Sequence, residues 1–137
     1  MVWPPDSVGG YHGAAALGAR GAQRPQPGLV TLLTQESVYY PVAAQVPSAR
    51  VNLWTPEFNR FAPAGTVLLG PGPAAPNLGD VLSGFIDGLL VQPALPADHG
   101  RTLRYAVWQH GAAADQLPAA RKNWVEDVLV NEMGAAV

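Results

Sequence analysis

No cysteine occurs in the 137 residues, which excludes disulfides, thiolate metal sites and a cysteine nucleophile together. Charge is scarce as well: only 13% of the residues are Asp, Glu, Lys or Arg, against roughly 25% in an ordinary soluble domain. A thin charged coat points to a surface that partners cover in part. The basic residues are seven Arg and one Lys, Lys122, in a chain of net charge −2. They gather into no stripe, so no nucleic-acid footprint is expected. No stretch approaches the roughly 18 apolar residues that a membrane span requires, and Met1-Val2-Trp3-Pro4-Pro5-Asp6 has neither the basic nor the apolar region of a signal peptide. Synthesis in the cytoplasm, with no membrane partner, is the expectation.

Glycine and proline are plentiful, at 15 and 14, and favour turns, short strands and extended segments over long helices. At this length one domain is expected, with an appendage. Residues 1–28 hold Gly9-Gly10, Gly13, Gly18, Gly21 and Arg24-Pro25-Gln26-Pro27-Gly28, and read as an extended N-terminal arm. Residues 29–137 read as the domain. Leu29–Thr34, Val38–Val42, Arg50–Trp54 and Ala64–Leu69 look like strands, with Pro41 marking an edge or an end. Two apolar runs flank Asp87-Gly88, a hairpin or bulge signal. Thr102–Trp108 alternates, with Leu103, Tyr105 and Val107 on one side and Arg104, Ala106 and Trp108 on the other, again as in a strand. One helix is expected at the C-terminus, opened by Pro118, closed by Gly134 and striped by Ala120, Trp124, Val128 and Leu129. The predicted class is mostly β (α+β): a small barrel- or tulip-like domain with a C-terminal helix and an extended N-terminal arm.

Catalytic constellations are missing. His12, His99 and His110 stand at no metal-ligand spacing, so no metal and no cofactor are expected. Asp98-His99 resembles the orienting pair of a triad, yet neighbours on a strand point to opposite faces. Ser7, Ser37, Ser48 and Ser83 have no nucleophile-elbow context, and Gly79 and Gly84 form no phosphate loop. Asp80 and Asp87 could flank a cleft as two glycosidase carboxylates do, but Asp87-Gly88 is first a turn. Lys122 falls on the polar face of the expected helix. The sequence reads as a binding or structural protein, not an enzyme. Its aromatics agree: Trp3, Tyr11, Tyr39, Tyr40, Trp54, Phe58 and Phe61 crowd the first half, either as anchors of an interface or as caps on a small barrel.

From Ala64 onward a succession of short motifs resembles the head-decoration proteins of tailed bacteriophages, the family typified by the lambda decoration protein. It comprises Gly65-Thr66-Val67-Leu68, the run Val81–Leu90, the run Tyr105–Pro118 and the tail Val128–Val137. Residues 1–63 carry no counterpart, and Gly70–Asn77 is richer in proline than the family pattern. The resemblance implies a β-rich cement protein on the virion capsid surface, made in the host cytoplasm, that trimerises and stabilises the shell by binding the major capsid protein. It implies that the arm, through Trp3, Tyr11, Arg20 and Arg24, grips the capsid and can be removed without unfolding the domain. Another virion component, such as a minor capsid, tail or fibre protein, is the alternative.

Overall fold

The structure is a computed structural model that describes residues 12–55, 77–92, 98–117 and 126–134. Its elements follow in the order α1 (His12–Gln23), β1 (Thr31–Thr34), α2 (Glu36–Gln45), β2 (Arg50–Leu53), α3 (Asn77–Leu90), α4 (His99–Gln116) and α5 (Glu126–Glu132). The described residues are thus mostly helical, and their only strands form one two-stranded parallel sheet. This overturns the β-rich barrel. Two of the expected strands are present as β1 and β2, but Val38–Val42 lies in α2, and the runs around Asp87-Gly88 and Thr102–Trp108 lie in α3 and α4. The 64–69 strand and Pro118, Ala120 and Trp124 lie outside the described residues.

The arm needs the same correction. Residues 12–23 form α1, a helix rich in alanine, the best helix former. It stops at Arg24-Pro25-Gln26-Pro27, because proline lacks the N–H that would continue the ladder and disfavours helical geometry in the residue before it. The chain then turns through Gln26 (φ 58°) and Gly28 (φ 95°) into β1.

Strand β1 pairs with β2 in parallel from Thr31 opposite Arg50 to Thr34 opposite Leu53. Parallel neighbours need a crossover, and α2 supplies it, turning Val38, Val42 and the following Val46 inward at four-residue spacing. Pro41 sits inside α2, and the Gln45 side-chain amide donates to its carbonyl at 3.0 Å.

Two apolar clusters make the core. One joins Ala14, Ala15, Ala16 and Ala19 of α1 to Leu32 of β1, Val38 and Val42 of α2, and the following Val46. The other joins Leu17 of α1 to Val81, Phe85 and Leu89 of α3, Ala106 and Ala113 of α4, Leu117, and Leu129, Val130 and Met133 at α5. Helix α1 therefore lies between both clusters.

Its contact with α3 is backbone against backbone. A Cβ on Gly84 would fall 2.0 Å from the Gly18 carbonyl oxygen, and one on Gly88 would fall 2.3 Å from that of Ala22. On the other side, a Cβ on Gly21 would meet the Val81 carbonyl oxygen at 2.5 Å. The contacts advance together along both helices, Gly84 over Gly18 and Ala22, then Gly88 over Ala22 and Pro25, so α1 and α3 run in the same direction. Small residues at four-residue spacing are what let two helix backbones approach this closely. Here lies the physical reason that Asp87-Gly88 makes no hairpin: its glycine serves a helix crossing.

Candidate functional site

The expected arm residues come first. Trp3 and Tyr11 lie outside the described residues, as do Phe58, Phe61 and Lys122. Arg20 pairs with Asp127 and donates to Asn131 Oδ1 at 3.5 Å. Arg24 donates through Nε to the Met133 carbonyl at 2.6 Å and through a second nitrogen to the Asn131 carbonyl at 2.8 Å. Both guanidinium groups thus clasp the α5 segment of their own chain, and the Asn131 and Met133 carbonyls gain a cation at a helix C-terminus.

The candidate chemical pairs also separate. Asp98 is the N-cap of α4, accepting from the Arg101 N–H at 2.9 Å, so its carboxylate serves the helix rather than His99. Asp80 and Asp87 stand two turns apart on α3, where sequence alone leaves open a cleft-flanking pair. Asp80 is 3% exposed, and burial pushes its pKa from 3.8 up to about 6. One of its carboxylate oxygens has no hydrogen-bond partner among the described residues. Ser37 and Ser83 are helical, in α2 and α3. No cluster of three His, Cys, Asp or Glu side chains among the described residues could hold a metal ion, and no helix among them is long and apolar enough to cross a membrane.

Two surface features remain. A shallow cleft of about 390 Å³ is lined by Glu36, Tyr39, Tyr40, Asn52 and Leu53. It lies beside the C-terminal ends of β1 and β2 and the first turns of α2, the edge at which parallel α/β units bind ligands. Tyr39 and Tyr40 meet edge to face with centroids 5.2 Å apart, and Tyr40 is exposed. The cleft offers stacking and hydrogen bonds, but its five lining residues include no nucleophile held by a base.

The larger feature is the outer face of α4. This helix turns Thr102, Ala106, Gln109 and Ala113 inward, steps of four, three and four that keep one stripe on the core. Its large apolar residues face out instead: Leu103, Tyr105, Val107 and Trp108 are exposed, the last two at 58% each. The Tyr105 and Trp108 rings lie 6.1 Å apart at 34°, beside exposed Arg101 and Arg104. Trp, Tyr and Arg are the residues that most often anchor protein interfaces. The sequence reading missed this face because it took Leu103, Tyr105 and Val107 for one side of a strand and Trp108 for the other. The signal that could have found it is the four-three-four spacing of Thr102, Ala106, Gln109 and Ala113.

No protein-family model matches the sequence, and no curated protein or solved structure matches it either.

Proposed function

We propose that this chain is a structural association protein, which works by joining an assembly and not by catalysis. The observation that carries this reading is the outer face of α4, where two aromatic rings and two aliphatic side chains stand in solvent beside two arginines. A surface of that composition gains free energy, about 25 cal/mol per Å² of apolar area, when a partner covers it. The low charge content of the chain supports the same reading.

The bacteriophage head is the assembly we assign, with the major capsid protein as partner. Its support is the order of the short motifs alone, because the β-rich domain they implied is helical: Val81–Leu90 belongs to α3, and Tyr105–Gln116 belongs to α4. Pelleting with expanded empty shells tests the assignment. The chain is expected to pellet in stoichiometric copies, and Trp108→Ser to pellet at least about tenfold less. A wild-type chain that stays in the supernatant removes the phage head from the assignment. A turnover abolished by changing Glu36 or Tyr39 in the strand-end cleft would overturn the non-catalytic reading itself.

A further inference from the structure

Arg101, Trp108 and Asp115 recur every seven residues along α4, with Tyr105 and Gly111 between them, so all five share one stripe of the helix. All five are exposed. The charges on this stripe are set against the helix that carries them. Arg101 stands in the first turn, at the positive end of the macrodipole, and Asp115 in the last turn, at the negative end. The helix has no acid in its first turn and no base in its last, and neither Arg101 nor Asp115 has an ion-pair partner among the described residues. Gly111 is a second anomaly. A Cβ there would meet nothing within 4 Å, so nothing within the described chain demands glycine, although glycine weakens a helix interior.

One arrangement answers both. We propose that α4 docks antiparallel on α4 of a second copy of this chain, with the two-fold axis passing beside Trp108. This rests on reading the outer face as an association surface; it places a second copy, and not the capsid protein, on that face, so Trp108→Ser weakens shell binding through loss of the pair. Trp108 is midway in sequence between Arg101 and Asp115, and equally between Tyr105 and Gly111. Antiparallel pairing about it therefore sets each Arg101 against the second copy's Asp115 and each Tyr105 ring over the second copy's Gly111. Each charge then also lies at the end of the opposing helix whose dipole favours it. The contact is isologous, so a two-fold pair closes on itself without leaving a free face. The axial span from Arg101 to Asp115 is about 21 Å at 1.5 Å per residue. A single helix pair of that length sits at the small end of specific interfaces, so the dimer is reversible.

Charge reversal tests the register. By sedimentation velocity, the full chain is expected to show a concentration-dependent monomer–dimer equilibrium. Arg101→Asp and Asp115→Arg should each weaken it by about tenfold or more, and the double variant should restore it. Each single variant moves its charge to the favoured end of its own helix, so circular dichroism and thermal unfolding should show an intact fold, separating loss of pairing from loss of structure. A wild-type chain that stays monomeric at high concentration, or forms the trimer implied by the sequence resemblance, overturns the proposal. So does a double variant no better paired than the singles. A monomer whose Trp108→Ser variant still loses shell binding overturns the dimer while sparing the association reading. A rescued dimer that ignores shells upholds the pairing and removes the phage assignment.

Discussion

Asp80 and Gln109 are two of the described residues at which burial works against folding. Asp80 lies in the first turn of α3, on the glycine side that faces α1, and its pKa near 6 comes from lost hydration. Below pH 3.8 the carboxyl is protonated whether the chain is folded or not, so burial carries no ionisation cost there. As pH rises from 3.8 to about 6, the unfolded chain releases its proton and the folded chain keeps it, so stability falls. Above that window the folded state bears the full cost, at most about 3 kcal/mol at 1.4 kcal/mol per pH unit. Asp80→Asn is therefore expected to stabilise the fold by about 1–3 kcal/mol at pH 7.5 and by almost nothing at pH 4. Urea unfolding at the two pH values checks this, and equal gains at both would show that charge is not the cause. Gln109 is fully buried, and neither polar atom of its amide has a partner among the described residues. A glutamine in that position hides the core stripe from any reading that looks for large apolar residues.

The elements show why the fold was only partly legible. Strands β1 and β2 were readable because Leu32, Leu33 and Val51 sit in short β-prone runs bounded by turns, where local preference and final structure agree. Gly134, at φ 87°, marks the stop after α5 as glycine commonly does. Helix α3 was not readable, since Gly84 and Gly88 cost local helix stability and are required by α1, a partner distant in the chain. Helix α4 misled for the opposite reason. It keeps Ala106 and Ala113 inside and leaves Tyr105 and Trp108 outside, so hydrophobicity in the sequence marked the exposed face and not the core. The two glycine environments give a paired expectation. Gly84→Ala forces a methyl into the α1 backbone, where no side chain can rotate away, and should cost more than about 3 kcal/mol. Gly111→Ala adds its methyl in open space and should stabilise the monomer by up to about 1 kcal/mol. Thermal unfolding of both variants at low concentration checks the contrast, and comparable losses would mean that α1 and α3 do not approach as closely as their glycines require.

Across the whole molecule, α1 decides whether the two clusters form one cooperative unit. Its alanines line the cluster over the parallel strands, its Leu17 enters the cluster of α3, α4 and α5, and its glycine stripe seats α3. Arg20 and the adjoining Arg24 tie it to the α5 segment. Glycine and proline suggested a removable arm because composition alone cannot tell a mobile segment from a helix whose glycines are filled by another backbone. The two readings diverge on a single truncation. An arm could be cut at residue 28 and leave a folded domain, whereas α1 cannot be cut without opening the apolar surfaces of Leu32, Val42, Val81 and Phe85 to water. Each fully exposed side chain of that kind loses about 1.5–3 kcal/mol, and four together match the whole stability of a typical domain, about 5–15 kcal/mol. Removing residues 1–28 is therefore expected to abolish the cooperative thermal transition and to raise binding of a hydrophobic dye. Adding back a peptide of residues 12–28 should recover part of the transition, because the groove it leaves is shaped for that helix. A truncated chain that melts as sharply as the full one would return α1 to the role of an arm.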